Sequence, residues 1–364
     1  MPTSDQTTPQ DTGISAAAAA PAPAADQPVP AGSDMPRSVS ALIFIRDRGI
    51  FILWGLLIAF FAIWSAPYFF TLTNAMLVAN AAALTAIFAA GVGFGIMTGV
   101  LDLSLPGTAA LSACVLGWLM TNGVPTWLAL LLGLLVGAVV GVVNGLIAMR
   151  GFNPIIVTIA TLSVLSGLAA IIAGGYTFPG LTELRFMGTE RYLGVPAPVY
   201  IVGVLYILGT LFLTRTRDGI RLMSVGGNAE AVRRSGIHAE RYRVLGFVLS
   251  GLFAALGGLV ATAITTEASP DASPGIIFTA LTAVALAGVS LTGGRGSLPR
   301  VLVGALILGT ISNGLTIRGV QPYWATAITG LLLLASLGLE KFIQRSVSDR
   351  LMSSAALSVH NKKA

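Results

Sequence analysis

The stretch RTRDGIRLMSVGGNAEAVRRSGIHAERYRVLGFVLS, residues 215–250, is the longest basic interruption between the apolar segments of this chain. Its polar part, which we call the basic loop (residues 215–243), separates segments that are apolar enough for a membrane interior. Because a loop between two spans lies on one side of the membrane, its position decides how the rest of the chain is threaded. The basic loop carries seven arginines: Arg215, Arg217, Arg221, Arg233, Arg234, Arg241 and Arg243.

The basic loop also contains the start and stop signals of a short helix. Asn228 is a good N-cap, because its side-chain oxygen can accept a hydrogen bond from a free N–H of the next turn. Gly236 is typical of the left-handed residue just past a helix C-terminus, which makes Ser235 the C-cap. Val232 and Ile237 then occupy the paired positions of a Schellman motif. An isolated two-turn helix is marginal in water and needs a supporting partner. Composition alone favours a surface loop whose arginines orient the flanking spans.

The composition indicates a membrane protein. Of 364 residues, 55% are hydrophobic and 10% are charged, whereas soluble globular domains carry about 25% charged residues. Apolar stretches recur at about the 20-residue length that a helix needs to cross a bilayer. We therefore expect an all-α polytopic membrane protein in contact with lipid, rather than a barrel of short alternating segments. The net charge of +6 does not indicate nucleic acid, because the basic residues lie at the membrane margins.

Three regions are expected. Residues 1–40 are rich in Ala, Pro, Thr and Asp, which predicts a disordered cytoplasmic tail. They lack a basic segment followed directly by an apolar core, so they are not a cleavable signal peptide. Residues 41–343 form the transmembrane domain, whose first apolar run can act as an uncleaved signal anchor. Residues 344–364 form a second cytoplasmic tail.

About ten spans are predicted, with both termini in the cytoplasm. In this arrangement only Arg185, Arg191 and Arg318 lie outside, and the other 18 of the 21 Lys and Arg residues lie inside. That asymmetry is what the positive-inside rule demands, and it places the basic loop in the cytoplasm. The spans are roughly residues 50–66, 73–97, 103–121, 126–148, 154–173, 198–214, 244–266, 275–292, 300–317 and 323–340.

One predicted span carries a stripe of glycines. Gly133, Gly137, Gly141 and Gly145 recur every four residues and form a smooth face that another backbone can approach. Two interpretations stay open at this point, a moving or dimer-forming helix and static packing inside one subunit.

A second glycine cluster precedes the only acidic residue between Asp47 and Glu183, which is Asp102. The density of helix breakers there predicts an interrupted or re-entrant segment, which is tolerated only where protein or water surrounds it. The breakers are Gly91, Gly93, Gly95, Gly99 and Pro106.

Asp102 needs an explanation, because a carboxylate at the bilayer centre costs about 2.5–3.5 kcal/mol on insertion scales. In the predicted topology it lies at a cytoplasmic turn, where Asp102 or Ser104 could cap the following helix. A role in transport is the alternative, and both stay open. Other polar residues in or near the spans could line a polar path or simply bond to the preceding turn. They are Asn80, Asn144, Asn153, Thr158, Thr161, Ser163 and Asn313.

The residue types exclude several kinds of chemistry. Both histidines lie in polar segments and Cys114 is the single cysteine, so we expect no catalytic residue, no metal site and no disulfide. Lysine occurs only at 341, 362 and 363, so the chain has no phosphate-binding loop for ATP. A proton-coupled carrier would place ionisable groups at mid-membrane, and few are present. We expect a conduit whose energy comes from another protein.

Several motifs carry a resemblance to a known family. Met97–Ala113 (MTGVLDLSLPGTAALSA) and Phe152–Gly175 (FNPIIVTIATLSVLSGLAAIIAGG) resemble segments of the permease subunits of bacterial ABC importers for monosaccharides. The resemblance continues through Ser224–Ile237 (SVGGNAEAVRRSGI), Ala287–Leu298 (AGVSLTGGRGSL) and Gly304–Trp324 (GALILGTISNGLTIRGVQPYW). These motifs occur in order over residues 42–340 and are typical of the ribose/xylose-type branch.

The resemblance implies an importer of a monosaccharide or related polyol in the bacterial inner membrane. It implies a homodimeric permease, cytoplasmic ABC ATPase subunits that bind the ATP, and a periplasmic sugar-binding protein. It also implies that the basic loop holds a coupling helix, residues 229–235, that docks on the ATPase and drives alternating access. The residues that match the family's loop are Gly226, Gly227, Asn228, Glu230, Ala231, Ser235 and Gly236.

The chain also departs from the family pattern. Around Asp102 only Asp102, Leu103 and Ser104 are retained among the key residues of that turn. Residues 277–279 replace a more polar motif, and Ala287 replaces a glycine. The external half of the pathway is therefore expected to be more apolar than is usual. A secondary, ion-coupled transporter of small polar solutes is the alternative function. A membrane-embedded enzyme is disfavoured, and an exporter is conceivable because helices do not encode direction.

Overall fold

The computed structural model describes the backbone of residues 37–361 and the side chains of residues 48–342 apart from residue 340. Most of the predicted tail 1–40 and the last three residues lie outside the described residues. The described chain is almost entirely helical. Its helices are α1 Arg37–Trp64, α2 Leu72–Met97, α3 Leu105–Thr121, α4 Thr126–Met149, α5 Pro154–Ala173, α6 Arg185–Gly188, α7 Ala197–Arg215, α8 Arg217–Arg234, α9 Ala239–Thr265, α10 Gly275–Leu286, α11 Leu298–Ile317 and α12 Pro322–Asn361.

Two smaller features complete the described fold. A 3-10 turn, Thr182–Leu184, precedes α6, and the strands β1 Arg191–Tyr192 and β2 Val195–Pro196 form a short antiparallel hairpin before α7. The C-terminal helix α12 continues through residues 344–361 of the segment that is expected to be the C-terminal tail. That segment contains neither Gly nor Pro, so nothing in its sequence interrupts a helix.

Each of the ten predicted spans corresponds to an apolar helix, but the helices differ in length. Seven of the described helices are long and apolar enough to cross a membrane: α2, α4, α5, α7, α9, α11 and the first part of α12, Pro322–Leu339. Three other helices are apolar but shorter: α3, α10 and the part of α1 from Arg48 to Trp64. With these apolar helices the chain has the architecture of an all-helical, polytopic membrane protein.

The prediction for residues 275–292 is wrong in extent. The helix α10 ends at Leu286 after 12 residues, a length of about 18 Å against a hydrocarbon core of about 30 Å. It is followed by a loop in which Gly288, Gly293 and Gly294 have φ values of 66°, 92° and 72°. Because residues other than glycine rarely adopt this conformation, Gly288 ends the helix just past its C-cap, and Gly293 and Gly294 shape the loop that follows.

The expected interruption near residues 91–106 lies later than its glycines suggest. Helix α2 is continuous to Met97, through Gly91, Gly93 and Gly95. The chain leaves helical geometry at Gly99, whose φ is 81°, and α3 begins at Leu105. The helical glycines provide room instead, since a Cβ at Gly91 would lie 3.0 Å from the Phe253 Cβ on α9. Close packing, rather than chain breakage, explains them.

The glycine stripe of α4 lies against α9 of the same chain. A Cβ at Gly133 would lie 2.9 Å from Leu259 Cδ2, and one at Gly137 would lie 2.6 Å from Ala255 Cβ. Farther along, a Cβ at Gly145 would lie 3.0 Å from Val244 Cα, and Gly141 lies against the backbone of the same stretch of α9. The two helices therefore pack backbone to backbone over about three turns.

The loops meet in two groups at opposite ends of the helices. At one end, the loop after α2 contacts α8 and the loop after α10, as described below. At the other end, the Arg318 guanidinium lies 5.3 Å from the centre of the Trp64 ring, and Phe178 pairs with Ala268 through backbone hydrogen bonds. This grouping joins loops that the sequence assigns to the same side of the membrane.

Candidate functional site

Helix α8 is two helical segments joined at Asn228. Its first segment comprises residues 217–227. Thr216 is the N-cap, and its hydroxyl accepts a hydrogen bond from Gly219 N at 3.0 Å. At Asn228 the backbone is extended, with φ −157° and ψ 91°. The second segment, residues 229–234, is the short helix expected from the sequence, and we call it the capped segment. The sequence did not predict the first segment, whose mixed polar and apolar residues carry no strong helix signal.

Both caps of the capped segment are confirmed. The Asn228 Oδ1 atom accepts a hydrogen bond from Ala231 N at 3.0 Å. At the other end Ser235 is the C-cap and Gly236 has a φ of 79°. The Schellman bonds are both present, from Ile237 N to Val232 O at 3.3 Å and from Gly236 N to Arg233 O at 2.9 Å. The capped segment is therefore a defined helix despite its length.

The two segments differ in how they are held. Leu222 and Val225 of the first segment are buried, and Tyr242 of α9 donates a hydrogen bond to Asp218 at 2.9 Å. In the capped segment Glu230, Arg233 and their neighbours are mostly exposed. The first segment is thus anchored in the protein, and the capped segment projects from it.

The charges of the capped segment are paired with one another and with the start of α9. Arg233 lies 3.3 Å from a Glu230 oxygen and 2.9 Å from a Glu240 oxygen, and Arg234 lies 3.4 Å from Glu230. The pKa of Glu240 lies below its ordinary value because its own backbone N–H and the Arg233 guanidinium favour the carboxylate. Exposed pairs of this kind add little stability, so they orient the segment more than they hold it.

The anchored end of α8 enters a contact of three loops, which we call the glycine junction. Gly226 lies against Gly99 of the loop after α2, where a Cβ on Gly99 would meet the Gly226 Cα at 3.4 Å. Gly294, in the loop after α10, donates its N–H to Met97 O at 3.0 Å. Gly227 packs directly on Gly294. A Cβ at Gly226 would overlap the Met97 carbonyl oxygen, and one at Gly294 would overlap the Gly227 backbone. These two glycines therefore let the three backbones touch.

A chain of buried polar side chains starts beside the glycine junction. Asp102 Oδ1 accepts hydrogen bonds from Ser104 N at 2.9 Å and from Ser104 Oγ at 2.6 Å. Ser104 Oγ in turn accepts from Asn144 Nδ2 at 2.9 Å, and Asn144 Oδ1 accepts from Thr161 Oγ1 at 2.7 Å. We call these four residues the polar chain. It connects the loop after α2 with α4 and α5.

Asp102 is the unusual member of the polar chain. Its side chain is only 3% exposed, and among the described side chains none forms an ion pair with it. Its Oδ2 atom has no hydrogen-bond partner in the described part of the chain. Asp102 or Ser104 was expected to cap α3 with its side chain. Ser104 occupies the N-cap position, but neither side chain bonds to a free N–H of the first turn. Asp102 accepts its hydrogen bonds from Ser104 instead.

Thr161 ends the polar chain at a groove between α3, α4 and α5. The groove has a volume of about 1330 Å³ and is lined by aliphatic side chains apart from Trp118, Phe152, Asn153 and Thr161. Much of the α5 surface is exposed there, including Ile156 at 68%. The groove is therefore an apolar surface in which Asn153 and Thr161 offer polar side chains.

The remaining candidate residues lie apart from the polar chain. Asn153 is the N-cap of α5 and accepts from Ile155 N at 2.9 Å. The Thr158 hydroxyl donates to Pro154 O of its own helix at 3.0 Å. Asn313 is half-buried on α11, and its Oδ1 atom has no partner among the described residues. Hydrogen bonds through Asn144 thus join Asp102, Ser104 and Thr161. Asn153, Thr158 and Asn313 form no hydrogen bond with that chain among the described residues.

Sequence reasoning gave no special weight to Asn144, Gly293 or Gly294. Asn144 stands out in the sequence only as a polar residue in the glycine-striped helix, one position before Gly145. In the structure its amide is fully buried and needs hydrogen-bond partners, which the sequence does not show. The two glycines lie inside the recognised motif Ala287–Leu298, but their contact with Gly226 and Gly227 depends on the folded chain.

Comparison with known proteins gives consistent matches. The family described as branched-chain amino acid transport system / permease component matches residues 74–337. The ribose import permease protein of Bacillus subtilis (strain 168) is 36% identical over 279 residues, covering 76% of this chain and 87% of that protein. The D-allose transport system permease protein of Escherichia coli (strain K12) is 32% identical over 306 residues, covering 83% and 94%.

A third relative extends the coverage. The L-arabinose transport system permease protein of Escherichia coli (strain K12) is 32% identical over 323 residues, covering 86% of this chain and 97% of that protein. No solved structure matches this chain.

Proposed function

Because this chain belongs to the branched-chain amino acid transport system / permease component family, we propose that it is the membrane-spanning subunit of an ATP-driven importer for a monosaccharide or related polyol. Membership of this family makes the chain a permease component of the inner membrane. Relatives named for ribose, allose and arabinose, each covering most of the chain, favour a sugar.

The proposed topology has ten crossings with both termini in the cytoplasm. The loop contacts support it, because the loops after α2, α7 and α10 meet at the glycine junction. In the ten-crossing arrangement all three are cytoplasmic. Arg318 and Trp64, which also lie together, are both external in it. The charge asymmetry between the two sides agrees with this arrangement.

The coupling element in this proposal is the capped segment, with Gly226, Gly227, Asn228, Glu230, Ala231, Ser235 and Gly236. The observation that carries the proposal is a six-residue exposed helix, capped at both ends, that follows an anchored segment touching two other loops. A partner ATPase that grips the exposed helix would move the glycine junction with it. Because α2, α8 and the loop after α10 share that junction, the helices would rock together and open the pathway alternately to each side.

Partner chains complete the proposed importer. A second copy of the permease would complete a homodimer, cytoplasmic ABC subunits would bind the ATP, and a periplasmic protein would deliver the sugar. The permease itself binds no cofactor in this proposal.

Reconstitution tests the proposal. The permease, its ATPase and its binding protein are placed in liposomes, and uptake of labelled ribose, allose, arabinose, xylitol and leucine is measured. We expect uptake of a sugar or polyol that requires both the ATPase and internal ATP. Uptake that persists without the ATPase and collapses with the proton gradient would instead indicate the ion-coupled alternative. ATP-driven uptake of leucine alone would overturn the assignment of substrate.

A further inference from the structure

The polar chain runs in one direction across three elements. Each side-chain donor points toward Asp102: Thr161 on α5 donates to Asn144 on α4, and Asn144 donates to Ser104 at the start of α3. Ser104 then donates to Asp102 in the loop after α2. The three bonds measure 2.7, 2.9 and 2.6 Å. Short bonds aligned head to tail strengthen one another, so the chain behaves as one unit.

One end of the chain is fixed to the glycine junction. Asp102 belongs to the seven-residue connection, residues 98–104, that also contains Gly99. Gly99 touches Gly226 of α8, and Met97 at the end of α2 accepts the Gly294 N–H. A shift of α8 therefore moves the connection that holds Asp102 and Ser104.

The other end of the chain is bonded to α5, which forms few side-chain hydrogen bonds with its neighbours. Among the described residues, the Asn144–Thr161 bond is the one side-chain hydrogen bond between α4 and α5. Helix α4 is fixed by its glycine stripe against α9, and α5 packs on α3, where a Cβ at Gly107 would lie 3.0 Å from Leu162 O. The Asn144–Thr161 bond therefore joins two helices that are otherwise held by different neighbours.

Because the polar chain is buried, breaking any of its hydrogen bonds costs free energy. Ser104 and Asn144 are completely buried, and Asp102 is 3% exposed. A buried polar group that loses its partner incurs its full desolvation penalty, so opening one bond of the chain is costly.

Building on the proposed function, we propose that Ser104, Asn144 and Thr161 are positioning residues that transmit movement of the glycine junction to the groove wall at α5. Movement of the capped segment then changes the groove through this chain, in addition to the rigid rocking of the helices.

The test uses Thr161→Val, which keeps the shape of the side chain and removes the hydroxyl. Thr161→Ser restores the hydroxyl, and Ser166→Ala is the matched control because the Ser166 hydroxyl bonds only to Leu162 O of α5 itself. In liposomes containing the whole importer, we measure the amount of substrate transported per ATP hydrolysed. We expect Thr161→Val to lower this ratio about three- to tenfold, the factor that corresponds to one net hydrogen bond. Thr161→Ser and Ser166→Ala should resemble the wild type.

Hydrogen exchange gives a second readout on the permease alone. We expect faster exchange of the amides at residues 98–104 in Thr161→Val than in Ser166→Ala. If Thr161→Val does not fold, Ser104→Ala removes the next bond and should give the same two effects. Equal coupling ratios and equal exchange in Thr161→Val and Ser166→Ala overturn the proposal. A wild type without ATP-driven uptake would refute the proposed function. The exchange measurement would still show whether the Thr161 bond is coupled to residues 98–104.

Discussion

Substitution of Gly137 by alanine tests the packing on which the fold depends. The added Cβ would lie 2.6 Å from Ala255 Cβ and 2.8 Å from the Gly251 carbonyl carbon. Carbon atoms pack best at about 3.5–4.0 Å, so α4 and α9 would have to separate by about 1 Å. Overpacking of a tight interior costs about 1–3 kcal/mol, which exceeds the roughly 0.5–1 kcal/mol that alanine gains over glycine in a helix. We expect Gly137→Ala to be destabilised.

The assay is thermal unfolding of the purified permease in detergent. Gly167→Ala on α5 is the control, because no atom lies within 4 Å of its added Cβ, and it should be as stable as the wild type or more so. Adding Ala255→Gly to Gly137→Ala removes the 2.6 Å contact but leaves Gly251, so it should restore part of the loss. If Gly137→Ala melts at or above the Gly167→Ala variant, the α4–α9 packing described here is wrong.

Three other predictions concern the caps and the polar chain. Asn228→Ala removes the N-cap, which should cost about 1 kcal/mol and speed hydrogen exchange at residues 229–234; unchanged exchange would contradict the cap. Gly236→Ala forces a left-handed residue and should cost about 1–2 kcal/mol although its Cβ meets no atom; an unchanged melting temperature would refute this strain. Asp102→Asn keeps an acceptor for Ser104 and should melt near the wild type, whereas Asp102→Ala should lose about 1–3 kcal/mol; equal melting of the two would argue against the bond.

Much of the fold follows from the order of apolar segments. The span predicted at residues 154–173 coincides with α5, whose bounds are Pro154–Ala173. In the structure Asn153 is its N-cap and Gly174 is its left-handed C-cap, and both are local features of the sequence. The capped segment was predictable for the same reason: cap signals are local. The end of α10 was missed because residues 287–292 are still fairly apolar, and the glycines that stop the helix act through backbone conformation.

The candidate site was less accessible to sequence reasoning. The motifs around Gly99, Gly226 and Gly294 were each recognisable, but their meeting at one junction is a tertiary contact. Likewise Thr161 and Asn144 are 17 positions apart on different helices, so no helical periodicity pairs them. Polar residues in apolar spans identify candidates, and only the folded chain separates Thr161, which bonds across helices, from Thr158, which bonds to its own.

The most direct measurement compares Glu230→Arg with the wild type in the assembled importer. Glu230 lies on the capped segment between its two caps. Glu267, an exposed residue just past the C-terminal end of α9, provides the charge-matched control Glu267→Arg. Assembly is checked by co-purification with the ATPase, and the substrate transported per ATP hydrolysed is then measured. The account predicts that Glu230→Arg hydrolyses ATP with little uptake, while Glu267→Arg couples normally. Normal uptake per ATP in assembled Glu230→Arg complexes would contradict it.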